Sequence, residues 1–192
     1  MRKNFGAKAM LYPMPVLIIG TYDDMGKANA MNAAWGGISE AEEISICVDD
    51  GHKTAENVIK TKAFTVSIPD VKNVTQADFV GIVSGNNDTD KLQKTGWKAV
   101  KSEFVNAPLF DKLPMALECR VKSYDIETCR LVGEIVNVSA DESILGDDGQ
   151  IDLNKFTPIT YDPVHHNYIA LGEVVGKAFS DGKKLTQKKK YI

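Results

Sequence analysis

The chain has 192 residues, 43% of them hydrophobic and 26% charged, with a formal net charge of -3. That length and balance fit one elaborated domain with a sizeable core and exclude wholesale disorder. The charge gives no overall positive field to draw the protein to nucleic acid or anionic membrane, and no apolar segment approaches the roughly 20 residues that span a bilayer.

Residues 16–22 are short, apolar and β-branched, and read as a buried strand. The stretch ahead of them, with Pro13 and Pro15, is too interrupted for the apolar part of a secretion signal. Asp23-Asp24-Met25-Gly26 supplies turn chemistry, and residues 28–35 return as the second strand of a hairpin, unusually rich in small side chains. Gly36-Gly37 is read as the end of that strand, and residues 44–48 form a third. Thr54 is expected to cap a short helix with Ala55, Val58 and Ile59 on its apolar face, and residues 63–68 form a strand closed by Pro69.

Residues 71–83 and 88–94 read as helical, joined by Ser84-Gly85-Asn86-Asn87, with Leu92 as an anchor to the core. Residues 96–114 are a connection with one short strand or turn. Residues 116–124 and 130–140 are the longest strand candidates, paired through a turn at 126–128. Leu117, Cys119, Val121 and Ser123 fall on one face of the first, with Glu118, Arg120, Lys122 and Tyr124 on the other. Pro158 and Pro163 mark a loop, and residues 168–171 make a last strand. Many short strands with helices inserted mid-chain give a mainly β fold, a closed or nearly closed antiparallel barrel.

Several chemistries lack their motifs. No glycine-rich loop opens a helix after a strand, so neither a Rossmann dinucleotide site nor a P-loop is supported. His165 and His166 are adjacent and lack zinc-ligand spacing, so no metal is assigned. Cys47, Cys119 and Cys129 form no Cys-x-x-Cys pair, and their odd number fits a reduced compartment, with the cytoplasm as the default. No catalytic residue is assigned. The basic concentration at Lys183-Lys184 and Lys188-Lys189-Lys190 reads as a solvated tail.

What remains is Lys27 to Trp35 with its satellite Gly51-His52-Lys53-Thr54. A phosphomonoester needs several directed donors and a cation, and Thr54 and Lys53 at a helix start offer a hydroxyl, charge and a favourable dipole. Asn29 and Asn32 can donate and accept, while Met31 and Trp35 can pack on an aromatic ring that the alanines let approach. The same residues also suit a plain core and a plain helix cap.

The runs Pro15-Val16-Leu17-Ile18-Ile19-Gly20-Thr21-Tyr22 and Asn29-Ala30-Met31-Asn32-Ala33-Ala34-Trp35, then Lys53-Thr54-Ala55-Glu56-Asn57-Val58-Ile59, Ser84-Gly85, Pro114-Met115-Ala116-Leu117-Glu118-Cys119 and Leu131-Val132-Gly133-Glu134-Ile135, carry a resemblance. Their order and spacing resemble the flavin reductase-like, FMN-binding split-barrel family, in its flavoredoxin branch. The resemblance implies an antiparallel split β-barrel of Greek-key type over residues 1–185, a basic tail at 186–192, and FMN near the interface of a homodimer. Carried over by position, Asn29, Ala30, Met31, Asn32, Ala33, Ala34 and Trp35 would line the flavin ring and ribityl chain. Lys53 and Thr54 would meet the phosphate, with Ser84, Gly85 and Lys91 nearby. Ala34 stands where relatives often carry a hydroxyl. The implied activity is an oxidoreductase passing electrons from NADH, NADPH or a reduced protein partner through FMN to an acceptor. Two other readings are a non-catalytic FMN electron carrier and a barrel holding another phosphorylated or haem-like ligand.

Overall fold

In the computed structural model, which describes residues 1–185, twelve strands and three α-helices are laid out in chain order. The basic residues 186–192 lie outside the described residues. The strands are β1 (Met14–Pro15), β2 (Leu17–Tyr22), β3 (Ala28–Ala33), β4 (Gly36–Glu40), β5 (Glu43–Cys47) and β6 (Ala63–Ser67). They continue as β7 (Ala99–Lys101), β8 (Pro108–Phe110), β9 (Met115–Asp125), β10 (Arg130–Ala140), β11 (Ile159–Asp162) and β12 (Asn167–Ala170). Helix α1 spans Lys53–Thr61, α2 Val74–Ile82 and α3 Lys91–Thr95.

Seven strands form one curled antiparallel sheet in the order β3-β2-β6-β9-β10-β5-β4. Its two edges, β3 and β4, do not pair with each other, so the barrel is split. The concave side holds one apolar cluster, with Leu17, Ile19, Met31, Ile44, Ile46, Phe64, Val66, Leu117 and Leu131 closed by Ala55 and Val58 of α1. The other face of β2 and β3 gives Ile18 and Ala30 to a second cluster with Ala77 and Val80 of α2, Trp97, Phe110 and Ile159, against which Leu92 packs as expected. The hairpin β2–β3 therefore belongs to both cores, because each of its faces is covered.

The Asp23 carboxylate accepts from Met25 N at 2.9 Å and Lys27 N at 2.8 Å, which fixes the tight return between β2 and β3. Three expectations need correction. Gly36-Gly37 does not end the hairpin: it starts β4, which pairs with β5, and the pairing is close enough that a Cβ at Gly36 would stand 2.9 Å from Ser45 O. The loop around Pro158 contains β11, which pairs with both β1 and β12. The simple alternation in β9 fails twice. Glu118 is buried, held by Ser102 Oγ and by Asn137 Nδ2 at 2.6 Å. Near Lys122 the register slips by one residue, which turns Tyr124 inward to donate to Val48 O at 2.8 Å.

Candidate functional site

The start of α1 sets the site. Its first residue outside the helix is His52, not Thr54, and His52 makes no side-chain cap. Thr54 lies one residue inside the helix, and neither Lys53 N nor Thr54 N finds an acceptor among the described residues. An uncapped helix start presents these N–H groups and the positive end of the helix dipole to whatever stands before it.

The buried face of α1 is partly polar. Thr54, Ala55, Asn57 and Val58 are buried, whereas Ile59, expected on that face, is exposed. Asn29 Nδ2 on β3 donates to Thr54 Oγ1 at 3.1 Å, and Asn57 Nδ2 donates to Thr21 Oγ1 at 2.9 Å. Having accepted from Asn29, the Thr54 hydroxyl still has a proton to donate. Asn57 Oδ1 is buried with no partner among the described residues.

Around this helix start lies a cavity of about 180 Å³ walled by Asn29, Met31, Asn32, His52, Lys53, Thr54, Ser84, Gly85, Lys91 and the end of α2 at Val80, Gly81, Ile82 and Val83. A second, of about 210 Å³, adjoins it and shares Asn29, Lys53, Gly85 and Lys91, with Asn57 added. Gly85 is required by close approach: a Cβ there would stand 2.5 Å from Asn29 Oδ1 and 3.3 Å from Lys53 Cβ.

Two lysines reach this space in different states. Lys53 is paired with Glu56 at 3.0 Å. Lys91, at the start of α3, is only 4% exposed and pairs with no carboxylate among the described residues; the adjacent Asp88 is engaged by Lys94. Burial pushes the Lys91 amine down to about 8, with Asp88 pulling weakly the other way. A buried ammonium with no counter-ion, beside free helix N–H groups and a donor-ready hydroxyl, is a set made to receive an anion.

Eight of the twelve residues singled out from sequence meet in this cavity: Asn29, Met31, Asn32, Lys53, Thr54, Ser84, Gly85 and Lys91. The other four do not line it. Ala30 belongs to the second apolar cluster and Ala33 packs on the first. Ala34 is half-buried, and Trp35 is 60% exposed beyond the end of β3, its carbonyl accepting from Cys47 N at 2.7 Å. Sequence reasoning included His52 in the satellite stretch without giving it a role, and missed Asn57 and the end of α2 as parts of the site. Asn57 was detectable in principle, because it falls three residues after Thr54 on one helix face.

Elsewhere, His165 Nδ1 meets Asp162 Oδ2 at 2.8 Å and His166 Nδ1 meets Tyr161 OH at 2.6 Å, in the turn between β11 and β12. Cys119 is buried and its thiol is pushed up to about 12 by burial, whereas Cys47 is exposed. No described helix is long and apolar enough to cross a membrane.

Comparison with known proteins agrees with this architecture. Residues 9–170 match the flavin reductase like domain. The flavoredoxin of Desulfovibrio vulgaris (Miyazaki F) superposes with a TM-score of 0.90 at 40% identity, covering 95% of this chain and 100% of that one. The flavoredoxin from Methanosarcina acetivorans gives 0.86 at 27% identity, covering 96% and 99%. An uncharacterized protein of Escherichia coli (strain K12), YddH, is 30% identical over 188 residues, 94% of this chain and 93% of its own. The chain belongs to the flavin reductase-like family of split barrels, on its flavoredoxin branch.

Proposed function

We propose that this protein is an FMN-binding oxidoreductase, a single domain over residues 1–185 that takes electrons from NADH, NADPH or a reduced protein and passes them to an acceptor. The observation that carries the reading is the buried, unpaired ammonium of Lys91 beside the uncapped start of α1. With the Thr54 hydroxyl, these groups suit a phosphomonoester, and the gap that Gly85 leaves at Asn29 lets the chain close on it. Lys53, already paired with Glu56, contributes its backbone N–H more than its charge.

From that anchor, Met31 and the Val80–Val83 segment offer apolar surface to a flat ring, and Asn29 and Asn32 offer polar contacts. Ala33, Ala34 and Trp35 are assigned to the ring side of the same site, reached from the edge of β3, and Ala30, whose side chain is buried in the second cluster, is assigned to it through its backbone alone. FMN when bound supplies the redox chemistry itself. The chain's own residues hold the phosphate, orient the ring and limit water around it, and no side chain is assigned as acid, base or nucleophile. The cavities are small for a whole flavin, which agrees with a site completed by a second copy in a homodimer.

The visible spectrum of the purified protein, with a fluorescence titration of FMN, tests the reading. Flavin absorbance or saturable uptake is expected; a colourless protein that leaves FMN fluorescence unchanged refutes it. Anaerobic addition of NADH or NADPH then separates reductase from carrier, since only a reductase bleaches the bound flavin within turnover times.

A further inference from the structure

Asn32 sits on the cavity wall with its side-chain orientation dictated by its neighbours. Its Nδ2 donates to Ala77 O at 3.0 Å and to Tyr168 OH at 3.4 Å. A backbone carbonyl can only accept, so the end of the amide facing Ala77 must be the NH2 group. Tyr168 in turn donates to Asp78 Oδ1 at 3.0 Å. Burial, and after it Asp78, push the Tyr168 phenol up to about 12, so it carries its proton and can offer Asn32 only a lone pair. Every bond in the chain therefore runs one way, from Asn32 through Tyr168 to Asp78.

Both donors of Asn32 are thereby spent on the protein. Its Oδ1 has no partner among the described residues, and it belongs to a half-buried side chain lining the cavity. Helix α2 also packs closely on the Asn32 side chain: a Cβ at Gly81 would come within 3.1 Å of Asn32 Cβ. The three anchors come from two elements, Ala77 and Asp78 on α2 and Tyr168 on β12. Rotating the amide would put oxygen against oxygen at Ala77, which is costly in a partly buried site.

We infer that Tyr168 and Asp78 are positioning residues that lock Asn32 as a pure hydrogen-bond acceptor, so the part of the ligand meeting it must be an N–H or O–H donor. This rests on the FMN reading for the identity of the ligand but not for the lock itself. On a flavin the matching groups are the ring imide N–H and the ribityl hydroxyls; a ring carbonyl or an unprotonated ring nitrogen is rejected at this position. The bond chain thus sets a polarity requirement for the site without touching the ligand.

The lock is tested first without ligand. In 15N-edited NMR spectra of the intact protein, the Asn32 side-chain amide is assigned by its loss in Asn32→Asp. Both of its protons are expected to exchange slowly in the wild type, and one is expected to become solvent-like in Tyr168→Phe. Titration with FMN should then show Tyr168→Phe weakened roughly 3- to 10-fold, the effect of one hydrogen bond. Asp78→Asn, whose amide oxygen still accepts from Tyr168, should stay near wild type. Solvent-like Asn32 protons in the wild type overturn the lock, as does a wild type that binds FMN no more tightly than Tyr168→Phe. Protected Asn32 protons in a protein that takes up no FMN uphold the lock and refute the flavin reading.

Discussion

Lys91 and Lys53 illustrate how differently two neighbouring lysines can serve one site. Because Glu56 already neutralises Lys53 while Lys91 has no counter-ion, Lys91→Met is expected to weaken FMN binding roughly 10-fold or more, and Lys53→Met much less. Equilibrium titration by flavin fluorescence measures both. The same amine predicts a pH profile. Affinity should be level between about pH 6, where a phosphomonoester takes up a proton, and about pH 8, where Lys91 loses one. Above that it should decline as pH rises, because the uncharged amine no longer attracts the dianion. In Lys91→Met the alkaline decline should vanish. Without ligand the sign reverses: the unfolded chain holds this proton up to about 10.5, the folded one only to about 8, so stability due to this group rises with pH across that window.

At the level of single elements, Glu118 of β9 is the polar tie between the sheet and the long connection that precedes it. Its carboxylate accepts from Asn137 on β10 and from Ser102, whose Oγ in turn accepts from Phe104 N and Val105 N at 3.0 Å. Glu118→Leu would leave buried partners unsatisfied and is expected to cost about 2 kcal/mol or more, read as a lower urea midpoint at unchanged slope. This element also shows where sequence reasoning stops. Alternation along β9 placed Glu118 outward, since period alone cannot see that the connection carrying Ser102 and Pro108 returns over this face, with Ser102 on Glu118 and Pro108 O on its neighbour Thr65. The hairpin β2–β3, α1 and the β9–β10 pair were legible because local turn chemistry or long periodic runs specify them. The strand β4 and the β1–β11 pairing were not, being short pieces defined only by distant partners. In the site, Lys53 and Thr54 were legible from position on a helix start. The weight that falls on Lys91 was not, because a lysine's burial and lack of a counter-ion are tertiary facts.

Across the whole molecule, the sheet leaves an apolar groove of about 660 Å³ lined by residues such as Leu17, Ile38, Ile68, Met115 and Val138. Ile38 and Val138 are at least half exposed on its rim, which is expensive surface for a free monomer. If the homodimer proposed above buries this groove, sedimentation should give twice the chain mass of 21.0 kDa. Ile38→Asp should then shift the population to monomer and weaken FMN uptake with it. Retention of the dimer in that variant would move the interface elsewhere.

The start of α1 is bare, with His52 standing in the capping position and capping nothing. Until something occupies that place, the folded state tolerates orphan donors that the unfolded chain would simply hydrate. An anion that seats there binds the native state alone, and so becomes a component of its thermodynamic stability. At a hundredfold excess over Kd, FMN should add about 2.7 kcal/mol and raise the melting temperature by roughly 5–10 °C. Inorganic phosphate should give a smaller rise with the same dependence on Lys91, whereas riboflavin, lacking the phosphate, should leave the α1 end of the melting response behind.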